Sequence, residues 1–567
     1  MKKSKITLVL PILRGSGISM MSQAGAEHLG LGYLTAVLRE NNYDVDIKNF
    51  QLFTMVNQWK DRNDSSKVDE ISIDESVKEI LDSKPDIVGI SVTGPTMDEC
   101  LEISKKIKEV SPEITIVFGG HQVSVMAEDI IKNEKNIDYI IIGDAEFTFL
   151  NFIKALDEGT DISSIKGVCY LRDNKVVNTG FPEDVNLDEL PFPVRDSLDE
   201  LKKYLNVKEA RLSTSRGCYD ACTFCIDSTL YKKNKWTARS AHSVVDEMEF
   251  LNKEYGIEGF WIIDDNFLNF TNKSQERARV IGEEILKRNL DIWYRAYFRA
   301  DGLDRAEELL PLLRKSGLRV VHIGFESGCQ TRLDYFRKRT KVSHYYRIVE
   351  LLKENNIGLQ VGFIIFDPFT NFENIRDDTK FLFDIGEMYL LFNFVQNLLV
   401  FPGTAIYDQL KAEGLIFKEL TYNSTFKVYD YRDNKVKRLA EQMESIYNLE
   451  LINADKELQR LNIITIPNIL YKLRCGENSG NDKVNNIVKN FTNNKDQLLE
   501  TLNQFNYDLF LDIVGMAEGE WDQSFFDAKI GEITTEIVKT KDKLVILCDE
   551  FCSTLINNKI LSESDII

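Results

Sequence analysis

Near its amino terminus the chain carries an unbroken apolar run, ITLVLPIL, from Ile6 to Leu13. A strand covered on both faces reads this way, because neither face needs polar side chains. The same texture returns in DIVGISV (Asp86–Val92), ITIVFGG (Ile114–Gly120) and DYIIIGD (Asp138–Asp144). Segments of another period lie between. LGLGYLTAVLRENNY predicts a helix ahead of a strand at DVDIKNF, and Cys100, Ile103, Ile107 and Val110 step along one helical face. This alternation predicts an α/β fold, a doubly wound, Rossmann-like sheet over residues 1–185 that binds ligands beyond its strands' carboxyl ends.

NLDELPFPVRDSLDELKKY, with Pro191 and Pro193, predicts a linker over 186–207. Strands and helices then resume. GFWIID, IWYRAYF, VVHIGFES, GLQVGFIIF and FVQNLLVF read as strands, and Val244, Val245, Met248 and Leu251 share an intervening helical face. The pattern predicts a partial TIM-type (β/α)6 barrel over 208–415, with chemistry at the carboxyl ends of its strands. Residues 416–567 are polar, rich in Asn and Lys, and helical in period, broken by ENSGNDKVNN. They predict a mainly helical domain that caps a substrate cleft.

Bulk properties narrow the choices. A net charge of −20 argues against bulk nucleic acid as partner, since phosphate contacts need excess Lys and Arg. The run Met388–Phe401 holds Asn393, Gln396 and Asn397 and falls short of the roughly 20 apolar residues of a membrane span. MKKSKITLVLPILRGSG has Arg14 straight after its apolar part and no small-residue cleavage site, so it reads as a buried strand rather than a signal peptide. Nine cysteines, an odd number without a paired framework, fit a reducing cytoplasm.

Three of those cysteines cluster in SRGCYDACTFCIDS: Cys218, Cys222 and Cys225. They follow the strand-like RLSTS, on the loop after the first barrel strand. Zinc prefers four ligands, usually in paired knuckles, and no further Cys or His lies close by. Iron–sulfur clusters are also held by thiolates, and three ligands to a cubane leave one iron open.

CYDACTFC, with Phe224 before the third cysteine, resembles the signature of the radical S-adenosylmethionine (SAM) enzymes. GFWIIDDNFLNF, RAYFRAD, HIGFESG, VGFIIFDPFTNFENI and VFPGTAIYDQLKAEG are similar to the companion motifs of that family, in its order. The resemblance implies that Cys218, Cys222 and Cys225 hold a 4Fe–4S cluster whose fourth iron is chelated by SAM. It implies that Phe224 presents backbone and ring to the adenine and that Asp264 and Asp265 lie near the SAM amine, where many relatives carry Gly-Gly-Glu. By the same resemblance Arg299 meets the SAM carboxylate, and Glu326 and Ser327 reach the ribose or amine.

The N-terminal segments AEHLGLGYLTAVLRENNYDVDI, PDIVGISVTGPTMDEC, ITIVFGGHQVSVMAEDII and YIIIGDAEFTF resemble the cobalamin-binding domain that precedes the barrel in one radical SAM subclass. Ser91, Thr93, Gly119, Gly120 and the loop near Glu146 would then line the corrin and its nucleotide tail. The Asp-x-His-x-x-Gly motif of older cobalamin enzymes is absent, so His28 and His121 read as ordinary loop residues and cobalt would have no protein histidine beneath it.

The family implies a class B-type methyltransferase that uses a 5′-deoxyadenosyl radical and methylcobalamin. Its substrate would be an unactivated carbon of a small molecule or peptide natural product, with a reductase, flavodoxin or ferredoxin as electron donor. Competing readings are an oxidative cyclase or rearrangement enzyme and a non-catalytic iron–sulfur or corrinoid carrier. Methylthiotransferases need a further cysteine triad, and only Cys100 and Cys169 precede the cluster motif. Cys329, after GFESG, reads as a small buried hydrophobe, and Cys548 and Cys552 as one face of a core helix.

Overall fold

Five of the first apolar segments form parallel strands of one sheet in the computed structural model: β1 (Lys5–Leu10), β2 (Asp44–Asn49), β3 (Ile87–Ser91), β4 (Thr115–Gly119) and β5 (Tyr139–Ile141), in the order β2-β1-β3-β4-β5. The structure describes residues 2–13, 27–53, 56, 71–230, 235–422, 427–446, 449–475 and 481–562. Continuous apolar strands are explained by helices on both faces. The helices Leu29–Glu40 and Glu146–Glu158 cover one face, and Met97–Val110 and Ala127–Asn133 the other, each over its own core. Strand order reverses between β1 and β3, so their carboxyl ends frame a crevice. Of the predicted helical stripe, Cys100, Ile103 and Ile107 are fully buried, whereas Val110 is 67% exposed at the helix end. An antiparallel hairpin, β6 (Val168–Arg172) and β7 (Lys175–Asn178), extends the sheet past β5.

The predicted linker over 186–207 is a built junction. It forms a helix over Asp196–Leu201, and Arg195 just before it is 4% exposed. Its guanidinium spans two carboxylates, Glu27 of the first domain and Glu247 of the second, each at 2.6 Å. Arg239 is the second partner of Glu247.

The second sheet is wholly parallel: β8 (Glu209–Leu212), β11 (Gly259–Ile262), β12 (Trp293–Phe298), β13 (Leu318–Glu326) and β14 (Gly358–Phe363), side by side in that order. A short antiparallel pair, β9 (Ser215–Arg216) and β10 (Thr237–Ala238), flanks it. The sixth predicted strand, FVQNLLVF, is reduced to one parallel bridge, Phe366 to Asn397. The 3₁₀ turn Leu391–Phe394 leads into it and takes in its first residue; the Asp455 carboxylate accepts the backbone N–H groups of Leu391 (3.1 Å) and Phe392 (2.6 Å) at the start of that turn. Alternation assigns the two faces of the sheet. Tyr294, Ile323 and Phe325 pack outward on helices; the Tyr294 hydroxyl, for example, lies 3.1 Å from Ser316. Arg211, Trp261, Arg295, Tyr297, His322 and Gln360 therefore line the concave face.

The C-terminal helices do not take the predicted capping position. Helix Ile466–Cys475 and the turn before it lie at the amino ends of the strands. Tyr471 stacks 3.5 Å from the Arg319 guanidinium, Lys472 approaches Glu258 (3.9 Å), and Ile463 meets Gly358. The long helices Asp482–Glu518 and Gln523–Asn557 pair with each other, the first also against Phe372–Ile385. Only the segment just after the barrel crosses toward the carboxyl ends, where Tyr422 donates to Glu134 of the first domain (2.7 Å) and Arg432 stacks over Phe369. Cys548 is buried on the last helix with Cys552 beside it. The Cys475 side chain and residues 477–480 of the predicted break lie outside the described residues, and from Asn481 the break gives way to the cap and first turns of the next helix.

One buried acid in this region makes stability depend on pH. Glu387 is 8% exposed, and its carboxylate accepts one hydrogen bond, from Asn393 Nδ2 (3.3 Å). Burial pushes its pKa up to about 8 from the ordinary 4.5, with Lys353 opposing only weakly. Between those values the folded chain holds a proton that the unfolded chain has lost. Stability therefore falls as pH rises through this window, by up to about 1.4 kcal/mol per unit. Glu387→Gln keeps the acceptor and removes the titration. Its melting temperature should exceed the parent's at pH 8 and converge with it near pH 5 in parallel thermal melts.

Candidate functional site

The cysteine loop hangs from the carboxyl end of β8. Gly217, at φ +76°, makes the turn, and its N–H donates to Asp265 Oδ2 (2.9 Å) just beyond β11. Thr223 N–H donates to Phe336 O (3.1 Å), Ile406 N–H donates to Thr223 O (2.9 Å), and Cys225 N–H closes on Cys222 O (3.2 Å). Phe224 sits edge-on to Phe336, with 5.2 Å between ring centres. Backbone bonds from three parts of the barrel thus fix the loop without using its thiols. Cys222 is buried, Cys218 and Cys225 half-buried, and burial pushes the thiols of Cys218 and Cys225 upward. Arg299 Nη1 donates to Cys222 Sγ at 3.6 Å.

The structure sorts the other expected site residues into two groups. Asp265 stands at the loop with no carboxylate–cation pair among the described residues, and burial together with nearby Asp227 holds its carboxyl above the usual range. Arg299 is clamped by Asp220 and Asp301 and donates to Lys338 O (3.1 Å). Glu326 ends β13 at φ +65°, a left-handed conformation that is costly for a non-glycine residue, and pairs with buried Lys338 at 3.2 Å. These three face the cysteine loop. Asp264 instead binds Thr214 N–H (2.6 Å) and the hydroxyls of Thr214 and Ser215. Ser327 donates to Asp378 (2.6 Å) in a buried cluster with Arg332 and Asp367. Both hold strand ends in place and carry no open valence toward the loop. Cys329 lies in the same region, taking a bond from Asn374 Nδ2 (3.3 Å), as a buried packing residue.

In the first domain, Ser91, Thr93, Gly119 and Gly120 gather at the carboxyl ends of β3 and β4. Thr93 and Thr96 cap the turn that follows β3. His28 accepts from Leu31 N–H at Nδ1 (3.1 Å), which leaves Nε2 as the donor to Ser91 Oγ (3.1 Å). Both ring nitrogens are thereby used, and burial lowers its pKa to about 4, so it is a neutral helix cap. The loop over 14–26, where the absent histidine motif would fall, lies outside the described residues.

Glu146 is buried and does not face an open crevice. It takes both arms of Arg216 (2.5 and 3.3 Å), which also reaches Asp144 at 3.1 Å. Arg216 stands two residues before Cys218, so one side chain ties the cysteine loop to the first domain. Sequence reasoning passed over Arg216, Arg195 and Lys338. Arg216 lay inside the quoted motif, and Lys338 in FRKRTK, a basic run in an acidic chain; Arg195 left no local signal.

Comparison with known proteins fits this geometry. Residues 24–153 match the B12 binding domain and residues 212–382 the radical SAM superfamily. Cytidylyl-2-hydroxyethylphosphonate methyltransferase of Streptomyces wedmorensis is 30% identical over 378 residues, 59% of this chain and 68% of that protein. The chain belongs to the radical SAM superfamily. An uncharacterized methyltransferase of Pyrococcus horikoshii is 27% identical over 77% of this chain and 91% of its own length. Among solved structures, the cobalamin-dependent radical SAM enzyme OxsB, with aqua-cobalamin and SAM bound, shares the fold at a TM-score of 0.68 and 19% identity, covering 100% of this chain and 83% of that one.

The residues of this radical SAM protein fit the groups its family binds. Among the described residues no three Cys, His, Asp or Glu side chains converge on a single ion, whereas three thiols spread along one loop suit separate corners of a cubane. In the B12 domain the two glycines divide the work. A Cβ at Gly120, φ +118°, would stand 2.5 Å from Val92 O, while one at Gly119 would meet nothing within 4 Å. Gly120 serves the fold and Gly119 leaves room over the sheet end. Gly120→Ala should cost at least about 1–3 kcal/mol by denaturant titration. Gly119→Ala should melt like the parent yet retain less corrinoid, read from the absorption of the purified protein.

Proposed function

We propose that this protein is a cobalamin-dependent radical SAM methyltransferase acting on an unactivated carbon of a small-molecule or peptide substrate. The observation that carries the proposal is the Arg216 tie. It ties the cysteine loop to Asp144 and Glu146, which supports bringing the carboxyl ends of the two sets of strands, where the cofactors would bind, close together. A pair of cofactors that must act on one substrate atom in turn requires this proximity. When bound, the cluster with SAM supplies a 5′-deoxyadenosyl radical and methylcobalamin supplies the methyl group.

The chain's own residues bind and orient. Cys218, Cys222 and Cys225 would hold the cluster, with Arg299 stabilising thiolate charge at Cys222. Asp265 suits the SAM amine, since a cation beside a buried carboxyl relieves its desolvation. The Lys338–Glu326 pair suits the amino-acid end or ribose, and Phe224 the adenine. The corrin would rest over Gly119 and beside Ser91 and Thr93. His28 is spent as a cap, and His121 begins the helix after β4 as an exposed residue. The electron would come from a flavodoxin, ferredoxin or reductase in a reducing cytoplasm.

The test is anaerobic reconstitution with iron, sulfide and hydroxocobalamin, followed by dithionite and deuteromethyl-SAM. Label on the corrinoid together with released 5′-deoxyadenosine is expected. Deoxyadenosine with an unlabelled corrinoid would sink methyl transfer and leave cyclisation or rearrangement, and neither product would leave a carrier.

A further inference from the structure

The concave face of the barrel sheet carries a belt of polar and aromatic groups one layer below the cysteine loop. Arg211 of β8, Trp261 of β11 and Arg295 of β12 stand in register, as do Tyr297 of β12, His322 of β13 and Gln360 of β14. Both guanidiniums lie over the Trp261 ring, at 5.0 and 4.3 Å, and Tyr297 stacks beside Trp261 and against His322. Arg295 is neutralised by Glu209 at 2.6 Å. Arg211 is not. Its Nη1 donates only to a backbone carbonyl, Glu27 O (2.8 Å), and among the described residues no carboxylate lies within 4 Å of it. The Glu27 carboxylate itself is taken by Arg195 and by the Arg211 backbone N–H.

Arg211 Nε and His322 Nδ1 are among the buried nitrogens of the belt that have no hydrogen-bond partner. Gln360 of β14 stands beside His322 in register. The carboxylates nearest Arg211, Glu27 and Glu209, are already paired with Arg195 and Arg295, so this guanidinium shares its counter-charge with a second arginine, and a further anion would complete it. Tyr471 and Lys472 pack at the amino end of the barrel sheet, so the belt forms a floor between that end and the cysteine loop.

We propose that this floor binds an oxyanion, carboxylate or phosphate, carried by the substrate, with Arg211 as its charge partner and His322 as a neutral hydrogen-bond partner. The proposal deepens the methyl-transfer reading and rests on it only for where reaction occurs. From Trp261 to Asp264 is three strand residues, and from His322 to Glu326 four, so the anion would sit roughly 10–13 Å below the layer of the cofactor site. The substrate is thus a small acid or phosphate ester whose reacting carbon lies about that far from its charge.

Anaerobic titration calorimetry on the reconstituted holoenzyme tests this with three probes: benzoate, phenyl phosphate and neutral benzyl alcohol. At least one anion should bind ten-fold or more tightly than the alcohol, and which one names the acid. Arg211→Gln should weaken that anion at least ten-fold, and His322→Asn to a lesser degree, with iron and corrinoid content unchanged. Equal binding of the alcohol, or no binding of either anion, overturns the proposal on the parent protein alone. So does an Arg211→Gln protein that keeps its anion affinity, including one that loses corrinoid instead, since Arg211 would then serve the corrin's polar edge. Calorimetry reads binding and not turnover, so failure of methyl transfer leaves this result standing.

Discussion

Cys222→Ala is expected to abolish 5′-deoxyadenosine formation to below the detection limit of an anaerobic assay, and to bring iron content down with it. Cys222 is the most buried of the three thiols and the one the Arg299 guanidinium faces. Loss of one thiolate removes a cluster ligand and leaves Arg299 with an empty position in front of it. The fold should survive, because the loop is pinned by its backbone: Gly217 to Asp265, Thr223 to Phe336 and Ile406 to Thr223. Circular dichroism and corrinoid retention should therefore match the parent. Iron and deoxyadenosine at parental levels would exclude Cys222 as a ligand.

The second large effect belongs to Arg195. Arg195→Ala leaves Glu27 and Glu247 buried, the first without a cationic side chain at its carboxylate and the second with Arg239 alone. Breaking a buried ion pair from one side costs about 3–5 kcal/mol. Glu27 stands on the B12 domain and Glu247 on a barrel helix, so the loss falls on the union of the domains. Guanidinium titration should show a lower midpoint and a B12 domain that unfolds ahead of the barrel. Arg195→Lys, which keeps the charge but not the fork, should fall between the two. A midpoint within 1 kcal/mol of the parent would mean that the junction carries no such weight.

Much of this architecture was legible in the sequence because its causes are local. Apolar runs mark strands covered on both faces, a three- or four-residue step marks helices, and three thiols in eight positions mark a metal loop. What escaped is made by distant partners. Arg195 and Glu27 are 168 positions apart, and neither has a neighbourhood that announces the other. FVQNLLVF has a strand's composition, yet Asp455, on a later helix, captures the N–H groups of Leu391 and Phe392 just before it and winds the chain into a turn there. Asp264 and Ser327 sit where cofactor contacts were expected, but Thr214 and Ser215 claim the first and the buried Asp378 carboxylate the second. Motif position specifies a place on the fold; it does not specify which of two neighbouring carboxylates, Asp264 or Asp265, turns outward.

The helix at the amino end of the barrel has a consequence for traffic. Tyr471 and Lys472 sit under the sheet, on Arg319 and Glu258. Traffic through that end would have to part these contacts; if product and spent nucleoside instead leave at the strands' carboxyl ends, where the next substrate arrives, each turnover obliges these molecules to queue.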